Sequence, residues 1–543
     1  MATDIPLPRP SAGAFLVRTR VRAPRWSAQA WGSIALTALF LAITCWWLTQ
    51  DRAIPTFDAG FQLSYLQRIY HELSAGHVFR AVTLERPYPP FAYLIGDLGV
   101  AVAGLGVAPP ILAENLFFVP LLALGCYHVG KRAFGPTAGL LAVVFALGSP
   151  LVTAQFHVFM LDAPETAMVA VAVWLIIASE GFSRVGVSAL AGLAVGVGLL
   201  TKEPFVFFVA GILAVTLVRM GIGCVRDRSP RRLLGLGAFT LVALAVALPW
   251  YIKAYAYVEQ VAVVALAQAN NPVYTNNIAP ARYTLNNLSW YFWNFLNFQL
   301  YLPLFLFAAS GWIWMSVRLA RRKPVKLTPE LMIGALVAWY AITETFVHDN
   351  RYSEPLLVYL AVIGTGWLVQ LKRNARIALI SILAVIAMVN TLGASFGVGR
   401  EVGVTLASTN TLQDEGHVMI FDNGGFLVGK PIRDGDMLAT LQALRDHGVR
   451  SVELSEKFLI EPDFSLVGLT ALSEIAGLKL LYGVPANKLS ARDATFAHRQ
   501  VEQGDPPPCV TLGDGTGVWI RLGNPTAKGT RDYCPTRHPA FYG

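Results

Sequence analysis

Over the first 395 or so residues the apolar positions come in long unbroken runs, with little alternation and no narrow helical stripe. Gly32 to Leu48, Leu233 to Leu248 and Ile377 to Leu392 approach or reach the roughly 20 residues that carry a helix through a hydrocarbon core. Short Lys/Arg clusters separate the runs, and such clusters stay on the cytoplasmic side of a membrane. Placing all of them there predicts about eleven spans, near 31–49, 110–130, 136–154, 164–180, 185–200, 204–219, 233–252, 290–317, 330–347, 353–371 and 377–392. Phe91 to Gly106 would invert every later loop if it crossed. Asp97, four glycines and the Pro109-Pro110 stop instead predict an interfacial or re-entrant helix within a first outer loop, 50–108.

The ends of the chain differ from this pattern. Residues 1–30 carry Arg9, Arg18, Arg20, Arg22 and Arg25 ahead of an apolar segment too long for a signal-peptide core, which predicts a signal anchor with a cytoplasmic tail. From about 400 to 543 the chain turns charged and glycine-rich. His417–Phe421 and Arg450–Leu454 look like strands and Met437–His447 like a helix; Val510–Leu512 and Val518–Leu522 complete a small α/β domain outside the cytoplasm. If that domain is extracytoplasmic, Cys509 and Cys534 are placed to form one disulfide.

Composition sharpens the class. With 55% hydrophobic and only 14% charged residues, 543 residues have too little polar surface for a soluble protein. The net charge of +9 sits in the loop clusters, so it orients helices and gives no reason to expect nucleic acid. No glycine-rich nucleotide loop and no internal repeat is present.

On this topology Asp58, Glu85, Arg86, Asp162, Lys202, Glu203, His348, Asp349, Arg351 and Glu354 all fall on the outer side, and ionisable groups at a membrane border are costly unless paired or functional. Asp58 suits a base that takes a proton from an acceptor hydroxyl, with a helix N-cap as its alternative role. Asp162, at the mouth of the fourth span, has the same two roles open to it. Arg86 suits a lipid phosphate. Glu85 suits a metal or an ion pair, and Lys202 either pairs with Glu203 or meets a phosphate. His348 is a candidate for metal or substrate. A divalent metal is therefore a candidate cofactor, although no metal-ligand spacing is present.

Several short strings, taken in order, resemble the GT-C superfamily of polytopic glycosyltransferases, in particular its protein O-mannosyltransferase and aminoarabinose (lipid A) transferase branch. They are Asp58 in the first outer loop, Pro87-Tyr88-Pro89-Pro90-Phe91, Arg132-Ala133-Phe134-Gly135, Leu161-Asp162-Ala163, Gly198 to Pro204, Leu248-Pro249-Trp250-Tyr251, and Asn350 to Pro355. The resemblance covers roughly 50–370. It implies inverting transfer of a sugar from a polyprenyl-phosphate donor to an extracytoplasmic lipid, glycan or protein. It makes Asp58 the base and Asp162 a second acid, with Arg86, Arg351 and Lys202 at the donor phosphate and Glu85 beside any metal. Ala59 replaces an acidic residue common in the mannosyltransferases, so the substrate is expected to differ. The competing class is a transporter or flippase of a lipid-linked sugar, against which stand the gathering of charges at one border and the lack of a repeat.

Overall fold

The computed structural model describes residues 27–55, 57–84, 88–227, 230–269, 282–344, 348–405, 417–421, 437–454, 466–482, 493–501, 506–511, 516–522 and 534. The Arg-rich tail and the Glu85-Arg86-Pro87 loop lie outside them.

The membrane part is helical throughout: α1 (Ala28–Gln50), α2 (Phe57–Ser74), α3 (Val78–Val82), α4 (Phe91–Ala103), α5 (Ala108–Phe134), α6 (Pro136–Leu147), α7 (Pro150–Gln155), α8 (Asp162–Ala178), α9 (Val185–Leu199), α10 (Phe205–Asp227) and α11 (Arg231–Ala269), followed by α12 (Leu285–Asn294), a π-helical turn (Phe295–Gln299), α13 (Tyr301–Ala320), α14 (Thr328–Thr343), a 3-10 turn (Asn350–Leu356), α15 (Leu357–Gly366) and α16 (Arg373–Phe396). Among the described residues, seven segments are long and apolar enough to cross a membrane unaided. The other four predicted spans coincide with α6–α7, α8, α9 and α14, shorter helices packed among the seven. The protein is a multi-pass membrane protein.

Local chemistry sets the breaks. Ser27 caps α1 by accepting from the Ala30 N–H (3.2 Å). The α5–α6 corner needs Gly135 at φ +100°, with Pro136 opening the next helix. The third span is broken at Gly148-Ser149-Pro150, where the Ser149 hydroxyl reaches the Gln299 carbonyl (2.6 Å). Helices approach closely where residues are small: a side chain at Gly125 on α5 would collide with the backbone of Ala170 on α8.

The helix α4, with 13 residues, is about 20 Å long at 1.5 Å per residue and falls short of a hydrocarbon core. It packs on α5 and α2.

The C-terminal region forms two sheets. Strands β1 (Val402–Thr405) and β2 (His417–Phe421) make an antiparallel pair that lies against α13 and the π-turn. The helices α17 (Met437–Asp446) and α18 (Leu466–Ala476) accompany a five-stranded sheet of β3 (Ser451–Leu454), β4 (Lys479–Tyr482), β5 (Asp493–Gln500), β6 (Val510–Thr511) and β7 (Thr516–Leu522). Its order is β4-β3-β5-β7-β6, parallel at β4-β3-β5 and antiparallel beyond. Cys509 and Cys534 are joined as a disulfide.

Candidate functional site

Asp58 lies in the first turn of α2, where the free N–H groups of a helix favour a negative charge. Its Oδ2 accepts from Arg351 Nη2 at 2.6 Å. Arg351 is held from its own turn as well. Asp349 caps the 3-10 segment by accepting the Arg351 backbone N–H (3.0 Å), and it also accepts from Nε (2.9 Å) and Nη2 (2.7 Å). The remaining Nη1 points at Met160 Sδ (3.8 Å). One guanidinium thus joins the first loop to the segment before α15 in a planar fork suited to carboxylates and phosphates.

A second pair stands beside the first. Lys202 Nζ donates to Asp162 Oδ1 at 2.6 Å, lies 3.8 Å from Glu165 Oε2 and sits 4.8 Å above the Tyr352 ring. Asp162 is close enough to act electrostatically on Arg351. The turn that carries Lys202 is pinned by carbonyls just before it: Phe91 N–H donates to Leu200 (2.9 Å) and Tyr251 hydroxyl to Leu199 (3.0 Å). The lysine pairs with Asp162 across the bundle, and this interaction, not one with the adjacent Glu203, is the contact formed.

Protonation follows from these surroundings. Burial works against charge on Lys202, but Asp162 and Glu165 outweigh it and hold the ammonium above the usual lysine range. Burial likewise opposes charge on Asp349, yet the hydrogen bonds and charge of Arg351 keep its carboxyl below the ordinary value. Glu203 is pushed up to about 7 by burial, which its own backbone N–H and Lys202 only partly offset. The Tyr88 phenol is pushed up to about 12, by burial first and then by Tyr352, Asp58 and Glu203 against the opposing pull of Lys202.

A buried amide and hydroxyl network fixes the Arg351 segment from below. Asn294 Nδ2 donates to Asn350 O (3.0 Å) and Ser353 Oγ (2.6 Å); Ser353 Oγ donates to Gln299 Oε1 (2.6 Å), and Gln299 Nε2 to Ser353 O (3.2 Å). The π-turn places Gln299 there, and such turns mark functional sites. Asn294 and Gln299 are candidate-site residues that the sequence expectations left out, and Asp349 is one that they grouped with the outer-side ions without giving it a role. Polar residues inside the aromatic run 290–301 are the signal that points to the first two.

Tyr88 also borders a cavity of about 400 Å³ walled by Tyr65, Tyr93, Trp250, Arg68 and Arg80. Its aromatic faces and guanidinium groups suit sugar rings and anions. Glu85 and Arg86 lie outside the described residues.

His348 is buried against Trp290 and Tyr291, with ring centroids at 4.8 and 5.4 Å, and burial lowers its pKa to about 4. Two further histidines are engaged elsewhere, His77 with Glu72 and His157 stacked on Trp47. Among the described residues no three His, Cys, Asp or Glu side chains come together as metal ligands. Asp58 and Asp162 each face a cation of the protein. The donor set among the described residues does not fit a metal.

The family model described as dolichyl-phosphate-mannose-protein mannosyltransferase matches residues 87–253. ArnT from Cupriavidus metallidurans in the apo state superposes with a TM-score of 0.53 over 83% of this chain and 86% of that one, at 14% identity. The chain has the fold of that ArnT structure, the GT-C fold. Two further GT-C structures are similar at a TM-score of 0.46. ArnT bound to undecaprenyl phosphate is 19% identical over 69% of this chain and 66% of its own. The oligosaccharyltransferase AglB from Archaeoglobus fulgidus, in complex with an inhibitory peptide and a dolichol-phosphate, is 13% identical over 83% and 64%. This chain thus spans just under two thirds of the length of either. No curated protein is matched by the sequence. In the GT-C fold seen here, the matched stretch 87–253 contains Asp162 and Lys202, whereas Asp58 and Arg351 lie to either side of it.

Proposed function

We propose that this protein is an inverting glycosyltransferase that moves a sugar from a polyprenyl-phosphate donor to an extracytoplasmic lipid, glycan or protein. The observation that carries the proposal is the meeting of Asp58 with Arg351, beside Lys202 with Asp162, at one end of a GT-C bundle. The acceptor oxygen attacks the anomeric carbon as its proton passes to Asp58. The bond from that carbon to the phosphate oxygen breaks, and the polyprenyl phosphate leaves with the electron pair. A phosphate is a good leaving group once its growing charge is met by fixed cations, so no general acid is needed. Arg351 and Lys202 supply those cations, with Arg86 as a third by sequence. The base acts from the opposite direction, which gives inversion.

We further infer that this end faces away from the cytoplasm, that the N-terminus is cytoplasmic and that residues 400–543 are extracytoplasmic. Support comes from Arg132, Arg184 and Arg232, which gather around Glu180 and Gly181 at the far end of α8, as positive loops on the cytoplasmic side do. The Cys509–Cys534 disulfide belongs to an oxidising compartment.

The test is turnover in detergent. Purified protein is given radiolabelled polyprenyl-phosphate sugars one at a time with crude envelope acceptor, wild type beside Asp58→Asn. Release or transfer of label by the wild type alone supports both the reaction and the base. Folded protein that consumes no donor overturns the enzyme and leaves sealed-vesicle transport as the next assay.

A further inference from the structure

The C-terminal region touches the membrane part at the helix that carries Asp58. Gly468 of α18 lies so close to Pro55 that any side chain there would overlap the Pro55 carbonyl oxygen, and Pro55 precedes Asp58 by three residues. Next to it, Ile54 is buried in one hydrophobic cluster with Leu441, Leu469 and Leu472 of the C-terminal helices. The exchange is reciprocal: Ala471 of α18 is buried in the cluster formed by Leu63, Leu66 and Ile69 of α2. Polar contacts continue along α2, with Gln67 Nε2 donating to Ala471 O (3.3 Å) and Arg68 Nη2 3.7 Å from Glu474 Oε1. Arg68 also walls the cavity beside Tyr88.

We propose that α18 is a strut that positions Asp58, through Gly468 at the 54–58 segment and through Ala471 and Glu474 along α2. Asp58 has to meet an acceptor proton within hydrogen-bond reach, and a displacement of the order of 1 Å costs about a hundredfold in rate. Residues 51–55, ahead of α2, have no regular structure of their own to hold it at that precision. The glycine supplies the fit, because only a bare Cα lets α18 lie on the Pro55 carbonyl. Its catalytic meaning rests on the function proposed above, whereas the mechanical contact does not.

Two readouts separate these. In Gly468→Val, amide hydrogen exchange within 57–62 is expected to rise about tenfold or more while β3, β5 and β7 keep wild-type protection. Turnover should fall about tenfold or more with the donor KM within about twofold, and the loss should be less than additive with Asp58→Glu. Unchanged exchange and turnover would overturn the strut. So would an equal rise across the strands, which would mean that the region had simply come undone. If the valine chain does not assemble, Gln67→Leu removes one contact without a clash and is expected to act in the same direction more weakly; no change in it counts against the strut. If the wild type turns over no donor, the enzyme proposal fails while the exchange contrast still decides the contact.

Discussion

Helix α8 joins two charged ends that obey different rules. At one end Asp162 and Lys202 have side chains 2% and 9% exposed and meet at 2.6 Å, with Glu165 3.8 Å from the same lysine and Arg351 and Asp58 close by. Just past the other end, Glu180 is 57% exposed and shared loosely by Arg132 at 3.5 Å and Arg184 at 3.8 Å. Exposed pairs are worth little because water and salt screen them, so the Glu180 cluster orients loops without specifying geometry. Buried pairs recover their desolvation cost only when well aligned, and loss of one partner strands the other. Charge placed at that cost marks work other than stability.

The comparison can be broken most severely at Asp58. Replacing it with asparagine keeps the shape and the link to Arg351 but removes the proposed base, and turnover should fall by about 10²–10⁴ at constant donor binding. An Arg351→Met chain frees Asp58 and Asp349 from their shared cation, and we expect a loss of about 10²–10³ in kcat/KM that Arg351→Lys only partly restores. For Lys202→Met the readout is unfolding in detergent: Asp162 and Glu165 are left buried, and about 3–5 kcal/mol should be lost.

Glu203 sharpens the contrast through pH. Its folded value of about 7 lies above its unfolded one. Its contribution is therefore fully present below the unfolded value and lost as pH rises through about 7. Glu203→Gln should match wild type at acid pH and gain about 1–2 kcal/mol at pH 8; a gain equal at both would remove the titration. The smallest effect belongs to the opposite end, where Glu180→Gln should change unfolding by less than about 1 kcal/mol, and less still in high salt.

Much of this was legible in the sequence. Apolar runs placed the helices because lipid leaves few alternatives. Strands at 417–421 and 451–454 and the helix from 437 also stand where the pattern put them. The strands β1, β4 and β5 and helix α18 were not anticipated, since Val402–Thr405 and Lys479–Tyr482 are short and Asp493–Gln500 alternates weakly. At the site, Asp58, Asp162, Lys202 and Arg351 stood out as ions at a membrane border, but their pairing did not, because it joins residues 293 and 40 positions apart. The amide network under Arg351 was hidden for another reason: its π-turn shifts Gln299 off the regular helical register on which sequence patterns depend.

In the proposed reaction the bond between Arg351 and Asp58 has a second consequence. The guanidinium that holds Asp58 Oδ2 at 2.6 Å is the same one assigned to the donor phosphate. A donor that binds there competes with the carboxylate, so on that proposal the base is freed only when a sugar is in place.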